Sequence, residues 1–193
     1  MKRFTKKIFR CQRGVSVLEL LIATLITGVM TTAAFQFLVT MQNQSEAQQY
    51  LSEAQLLCRN SLMDIKKNLR MAGYKITDHP AYEVKGDTLA VYVSQSQPVD
   101  TILYYLQEFN DGEYAAMADL PEGRQVYRLM KQTNSDPPDE FADYVLNVQY
   151  DLTDPSNIVV RVTTQTPRPD EDYPSFNGYR SYSLSERVKI RNA

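Results

Sequence analysis

An apolar stretch without charge or proline dominates the first part of this 193-residue chain. From Leu20 to Ser45 there is no Asp, Glu, Lys or Arg, and residues 20–39 are rich in Leu, Ile, Val, Ala, Met and Phe. Twenty such residues are enough for a helix to cross a bilayer. Glu19 stands at the edge of this run, where an ionised side chain costs about 2.5–3.5 kcal/mol unless a cation lies beside it. The sequence therefore predicts a membrane helix whose one carboxylate needs a positive partner.

The residues before the apolar stretch predict its orientation. Residues 1–14 carry six Lys and Arg side chains and no acidic one. By the positive-inside rule this segment stays in the cytoplasm and the chain after Val39 crosses the membrane. Residues 36–42 lack the small-residue pattern at which an ordinary secretory signal is cleaved. We therefore expect the apolar helix to be retained.

The sequence RGVSVLE at residues 13–19 resembles the class III signal of type IV prepilins and type II secretion pseudopilins. The resemblance implies that a membrane peptidase cuts after Gly14 and methylates the new amino terminus at Val15. Glu19 then becomes the fifth residue of the mature chain. Two positions differ from the usual family pattern: Val15 stands where Phe is common, and Gln36 stands where many major pilins carry a helix-kinking proline.

Cleavage after Gly14 would also supply the cation that Glu19 lacks. A free α-amine at Val15 has a reference pKa of about 7.7–8.0, and Glu19 follows four residues later, one turn along a helix. The partner is either this amine or the amine of a neighbouring subunit, and losing one member of a buried pair costs roughly 3–5 kcal/mol. The family resemblance implies the second role, in which Glu19 recruits the subunit into a filament. The alternative is a snorkelling interface residue in a simple anchor.

The spacing of apolar residues predicts that the helix continues beyond the membrane. An apolar stripe at three- and four-residue spacings predicts one buried face. It comprises Ala47, Leu51, Ala54, Cys58, Leu62, Ile65, Leu69 and Ala72. The other faces carry Glu46, Glu53, Arg59, Lys66, Lys67 and Arg70. Gly73 follows the stripe as a helix terminator, and a break near 43–45 remains open.

Beyond Gly73 the pattern changes to β-strands. Six segments rich in Val, Ile, Thr and Tyr are bounded by Gly, Pro, Asp and Asn. They are 88–94, 101–109, 125–131, 144–152, 158–166 and 179–190. Residues 85–87 and 154–157 predict tight hairpins, whereas 133–140 and 166–178 predict longer loops. The fold class is therefore α+β, with one antiparallel sheet or two small ones packed on the helix, and it resembles the lollipop of the pilin fold.

These segments give four expected regions. Residues 1–14 are a cleaved basic leader, 15–41 a transmembrane and filament-core helix, 42–73 its amphipathic continuation, and 74–193 a periplasmic, β-rich globular domain. The length suits one such domain. Removing the leader takes six of the 21 basic residues and none of the 23 acidic ones, so the mature net charge is near −8. This charge disfavours nucleic-acid binding.

The two cysteines do not predict a disulfide. Cys11 leaves with the leader, so Cys58 remains alone, although an exported domain could use a cysteine pair. Many major pilins close a carboxy-terminal loop in that way. Cys58 lies on the apolar stripe of the helix, which favours a small buried residue over a reactive thiol.

The sequence gives little support for catalysis or for a cofactor. The single histidine, His79, precedes Pro80 in an expected turn and has no metal-ligand pattern around it. Ser16, Ser94 and Ser181 lack the surroundings of a nucleophile elbow. We therefore predict no enzyme activity, no metal site and no cofactor.

Two acidic patches carry oxygen ligands without the spacing of a calcium-binding loop. One contains Asp136, Asp139, Glu140 and Asp143, and the other spans 170–172. Charges exposed in solvated loops are the favoured interpretation, and calcium binding is the alternative.

Scattered segments point to a subgroup of the family. Residues 64–74, 104–106, 126–129 and 188–192 are similar to PilW-type minor pilins and less closely to J-type pseudopilins. The resemblance implies a low-abundance subunit that primes or caps a type IV pilus. Its partners would be other pilins and minor pilins, the prepilin peptidase and methyltransferase, and the assembly platform of the inner membrane. The alternatives are a J-type pseudopilin of a type II secretion system and an uncleaved single-pass anchor that displays a binding domain.

Overall fold

A computed structural model describes residues 15–77, 79–94, 99–109, 124–154, 157–170 and 172–191. The chain divides into two compact units between Ser45 and Glu46. The described part of the first unit is helical from Val17 onward, and the second unit combines helix and sheet. The predicted leader lies outside the described residues, as do residues 78, 95–98, 110–123, 155–156, 171 and 192–193.

Helix α1 begins at Val17 and ends at Met71. It is helical through residues 43–45, so the break that the sequence left open is not present. Gly73 adopts a left-handed conformation with φ of 73°, which glycine reaches without the steric penalty of a β-carbon. Its N–H donates to the carbonyl of Tyr92 at 3.0 Å. The predicted terminator is therefore confirmed, and it also ties the end of the helix to the sheet.

Seven strands of the described residues form one antiparallel sheet in which neighbours in sequence are neighbours in space. They are β1 (Tyr82–Lys85), β2 (Thr88–Val93), β3 (Asp100–Glu108), β4 (Tyr127–Thr133), β5 (Asp139–Asp154), β6 (Asn157–Gln165) and β7 (Ser181–Lys189). Each strand is followed in sequence by its antiparallel neighbour, so the sheet needs no crossover connection. The α+β class with a long N-terminal helix packed on an antiparallel sheet is confirmed, and it contains one sheet rather than two.

Both predicted hairpins are present. Lys85 pairs with Thr88 across the Gly86-Asp87 turn, in which Gly86 has a φ of 59°. Asp154 pairs with Asn157 at the second turn. Strand β1 is not predicted from the sequence, because its four residues are too few to show a clear alternation and two of them are charged.

Strand β5 begins five residues earlier than the predicted start at residue 144. Residues 139–143 carry three acidic side chains, which is typical of a loop and hides the strand. The strand bulges against β4: Tyr127 faces Val145 and Leu129 faces Ala142, so the ladder shifts between these pairs. Tyr144 has a φ of 57° at this point. A bulge of this kind interrupts the two-residue period that sequence prediction relies on.

The core lies between one face of α1 and one face of the sheet. Ala54, Cys58, Leu62, Ile65, Leu69 and Ala72 of the predicted stripe are buried. On β6, Ile158, Val160 and Val162 are buried at alternate positions, whereas Arg161 between them is exposed. This two-residue period places one side of the strand against the helix. The predicted buried face is therefore confirmed from Ala54 to Ala72, whereas Ala47 and Leu51 at its start are only half-buried.

A polar network links the helix to the middle of the sheet. Asp64 on α1 accepts hydrogen bonds from Lys131 at 2.8 Å and from the hydroxyl of Tyr104 at 2.5 Å. Asn68, one turn further along, donates to the same hydroxyl. Burial, together with the hydrogen bond to Asp64, raises the pKa of Tyr104 above its ordinary value of 10.0. Because buried polar groups that have partners specify one arrangement, this network fixes the helix in one position on β3 and β4.

We expect the free energy of unfolding to fall as pH rises above about 10. The phenol of Tyr104 ionises near pH 10 in the unfolded chain but stays protonated in the folded chain. Above pH 10 the unfolded chain therefore binds fewer protons than the folded chain, and the free energy of unfolding falls. Below about pH 9 this contribution is fully present. Urea unfolding of the full-length protein in detergent at pH 8 to 11 measures the effect.

The matched variant is Tyr104→Phe, which removes the ionisable group and keeps the ring. Its loss of stability per pH unit above pH 10 should be smaller than that of the parent by up to about 1.4 kcal/mol. Equal alkaline slopes in the two proteins would contradict the assignment.

Candidate functional site

The first candidate site is the apolar part of α1. Every residue from 15 to 45 is exposed in the single chain, including Leu21, Ile26 and Phe35. Helix α1 is long and apolar enough to cross a membrane, by length and composition. An apolar surface that surrounds a helix on all sides needs lipid or other apolar helices around it.

The threonine hydroxyl groups in this segment bond within the helix. Five threonines donate to the carbonyl three or four residues earlier, at 2.7 to 3.0 Å. They are Thr24, Thr27, Thr31, Thr32 and Thr40. In a water-free environment an unpaired hydroxyl costs several kcal/mol, and this arrangement avoids that cost. The segment can therefore enter an apolar medium with its threonines already paired.

Glu19 lies in the first turn of α1 and is exposed. A carboxylate at this end of a helix is stabilised by the unpaired N–H groups of the first turn. Val15 precedes the helix and is 70% exposed. Four residues correspond to a rise of about 6 Å along a helix, so Val15 and Glu19 share one end of α1. Gly14, the predicted cleavage residue, lies outside the described residues.

After Glu19, no basic side chain is near it in sequence. The next Lys or Arg is Arg59, forty residues later. If the chain begins at Val15, the amino terminus is the one cation at this end of the helix. Val15 and Glu19 lie four residues apart at the start of α1, and their pairing, like the processing after Gly14, stays a prediction.

The second candidate site is the outward face of α1 in the globular unit. Glu46, Glu53, Asn60 and Lys67 follow one another at seven-residue steps, and all four are exposed. The sequence already showed charged residues on this face. The order of these charges, acidic before basic, can also be read from the sequence, and the structure adds that these positions are exposed.

The other sequence candidates have structural partners. Glu140 and Asp143 both bind Arg128, at 2.7 and 2.9 Å, and Asp170 binds Arg180 at 2.6 Å. These three acidic residues are therefore members of ion pairs rather than free loop charges: Arg128 on β4 reaches Glu140 and Asp143, and Arg180 reaches Asp170 within the connection between β6 and β7. Asp136 and Asp139 of the first patch are exposed.

No group of three or more His, Cys, Asp or Glu side chains suited to a metal ion occurs within the residues that the structure describes. His79 is exposed, and its ring stacks on Tyr92 with 5.9 Å between the ring centroids. These observations assign His79 to a surface contact.

Cys58 is fully buried on the helix face that meets the sheet, and its thiol donates to the carbonyl of Val162 at 3.2 Å. Burial raises the pKa of the Cys58 thiol, so the reactive thiolate is disfavoured. The predicted role as a small buried residue is confirmed.

Neither the family models nor the curated proteins nor the solved structures compared with this chain gave a match. The functional proposal below therefore rests on the residues of this chain and on their arrangement.

We expect Cys58 to be unreactive in the folded protein. Maleimide labelling of a Cys11→Ser variant in detergent should be at least about a hundredfold slower than labelling of an exposed cysteine, because the thiol is buried and protonated. Mass spectrometry of timed samples measures the rate. The control is Met63→Cys on the exposed face of the same helix, made with Cys11→Ser and Cys58→Ala. Similar rates for Cys58 and this control would show that Cys58 is accessible.

Proposed function

We propose that this protein is a minor pilin of a type IV pilus. Prepilin peptidase cuts between Gly14 and Val15, and the new terminus is methylated. The mature chain waits in the inner membrane with its globular domain in the periplasm. It then enters the filament through its N-terminal helix, where it primes or caps assembly.

The observation that carries this proposal is the composition of α1 between Val17 and Ser45. From Leu20 to Val39 this segment is mainly apolar on all sides, its threonine hydroxyls bond within the helix, and Glu19 is the one charged side chain between Val17 and Ser45. Such a surface suits lipid and suits packing against other helices equally well. A subunit that moves from a membrane into the core of a helical filament needs both environments.

Pairing of Glu19 would favour the filament over the isolated membrane helix. In the membrane its carboxylate is costly unless paired, and its pairing with the amine of a neighbour in a filament would remove that cost. The pair would form in an apolar core, where electrostatic attraction between unit charges is strong. Glu19 therefore favours the packed state over the isolated membrane helix.

The globular unit supports a display role. Its antiparallel sheet is held to the second half of α1 by an apolar core and by the network around Asp64. A subunit with this arrangement presents its sheet domain on the surface of a filament whose core is built from the apolar segment.

The amino terminus of the native protein tests the processing step. Mass spectrometry of protein purified from membranes should show a chain that begins at Val15 with one added methyl group. A Gly14→Val variant should retain the leader, because the residue before the cleavage site has changed. A native chain that begins at Met1 would overturn the proposal and would indicate an uncleaved anchor.

Substitution of Glu19 tests the assembly step. Glu19→Gln and Glu19→Ala should reduce the amount of this protein in sheared filaments by at least about tenfold, since the amine of the neighbour would lose a partner whose removal costs several kcal/mol. Immunoblotting of filament and membrane fractions measures this. Gln36→Leu changes a polar residue of the same segment without changing charge and should leave incorporation intact. Normal incorporation of both Glu19 variants would rule out the pairing role.

A further inference from the structure

A basic groove lies against the last turns of α1, and its volume is about 850 Å³. Met63 and Met71 of the helix and Phe141 of β5 give it apolar walls. Three cations also line it, namely Lys67, Arg70 and Arg191. Methionine adapts its shape to an apolar group placed against it, and the cations form strong hydrogen bonds with carboxylates. The groove therefore suits a segment in which carboxylates flank apolar side chains.

The three cations of the groove are available for pairing. Lys66 and Asp64 also line the groove, but both already belong to ion pairs within the chain. Among the residues that the structure describes, no ion pair includes Lys67, Arg70 or Arg191. All three of these side chains are exposed. The groove thus offers its positive charge to another molecule.

The connection between β4 and β5 carries the complementary groups. It contains the sequence Asp136-Pro137-Pro138-Asp139, and residues 134–140 are all exposed. No ion pair of the described part of the chain includes Asp136 or Asp139. A residue that precedes proline favours an extended backbone, so the two prolines keep this segment straight. At the rise of an extended proline segment, the α-carbons of the two aspartates are about 9 Å apart.

Hydrogen bonds brace this connection from both ends. The side-chain oxygen of Asn134 accepts from the N–H of Thr101 at 2.8 Å, and the N–H of Asn134 donates to the carbonyl of Thr101 at 2.7 Å. The side chain of Gln132 donates to the carbonyl of Asp136 at 3.0 Å, and the N–H of Asp136 donates to the carbonyl of Thr133 at 3.1 Å. A segment that is already ordered loses little conformational entropy when it binds.

We propose that two copies of this chain form a dimer in which residues 136–139 of each copy enter the groove of the other. The aspartates then lie beside the cations of the groove, and the prolines between them cover its apolar walls. Because residues 136–139 are exposed in the single chain, they do not fill the groove of their own copy. The charge of the segment is opposite to that of the groove, which favours this contact over other orientations.

The segment and the groove lie near each other on one copy. Asp139 precedes Phe141, a wall of the groove, by two residues. Thr101, which braces the connection, pairs with Tyr92, and the carbonyl of Tyr92 accepts from the N–H of Gly73. Both features are therefore close to the end of α1. In a two-fold dimer every contact occurs twice, and neighbouring donor and acceptor surfaces allow both contacts to form together.

The two-fold arrangement also accounts for the strength and the size of the assembly. A single exposed ion pair contributes little to binding, whereas this dimer contains the segment-to-groove contact twice and covers the apolar walls of both grooves. A two-fold interface is closed, so association stops at two copies. The dimer goes beyond the proposed function, because it requires neither cleavage after Gly14 nor a filament.

Charge exchange in the full-length protein tests the dimer. Asp136→Lys with Asp139→Lys makes the segment basic, and Lys67→Glu with Arg70→Glu makes the groove acidic. Each pair of substitutions alone should raise the dissociation constant of the dimer at least about tenfold, because like charges then meet in both contacts. Sedimentation velocity in detergent at about 50 mM salt, where screening is weak, measures the dissociation constant.

A mixture of these two variants should dimerise again, with a dissociation constant within about threefold of that of the parent. In the mixed dimer the basic segment meets the acidic groove, and the unchanged segment meets the unchanged groove. Recovery in the mixture also shows that both variants are folded. Asp136→Asn with Asp139→Asn removes the charge without placing a lysine opposite Lys131, and it should weaken the dimer in the same direction.

The matched control is Glu46→Lys with Glu53→Lys, which makes the same change of charge on another exposed part of α1. Its dissociation constant should stay within about threefold of that of the parent. A parent chain that remains monomeric at about 100 μM would overturn the inference. A dimer that the exchange variants and the asparagine variant all leave unchanged would overturn it as well. Cleavage after Gly14 and filament entry are measured separately, so either result leaves the proposed function intact.

Discussion

The structure depends on helix α1, whose first part is an exposed apolar segment and whose second part packs on the sheet. Helix α1 is unbroken from Val17 to Met71, yet its surface is mainly apolar on every side from Leu20 to Val39 and has one buried apolar face in the globular unit. In the second part Cys58, Leu62, Ile65 and Leu69 pack against the sheet and exclude water. Burial of large aliphatic side chains contributes roughly 1.5–3 kcal/mol each, so this stripe is the main attachment of the helix to the sheet. The position of the outward face follows from it.

The charges of α1 act differently in its two parts. Glu19 is isolated within an apolar segment, where a single unpaired charge is costly and a single partner therefore has a large effect. The charges after Ser45 lie at an aqueous surface, where each pair is worth little by itself.

The sheet shows how far local patterns predict structure. The sequence predicts strands β2, β3, β6 and β7 from segments rich in Val, Ile, Thr and Tyr, with ends that shift by one or two residues. Strand β1 is too short to show a period, and the start of β5 is hidden by acidic residues that prove to face Arg128. The sequence predicted solvated loop charges for Glu140 and Asp143 because their partner, Arg128, lies on β4. A residue that strand pairing brings close gives no local signal in the sequence.

The sequence by itself determined the uncharged helix, the position of Glu19, the buried stripe with Cys58, the terminating Gly73 and the α+β class. Each of these follows from the spacing of residue types along a few turns or a few strand residues, which local geometry fixes. Tertiary structure alone decided that the strands form one sheet in sequential order, that Asp64 joins Tyr104 and Lys131, and that Met63, Met71 and Phe141 line one groove. These features bring together residues that are tens of positions apart, and such contacts depend on how the whole chain packs.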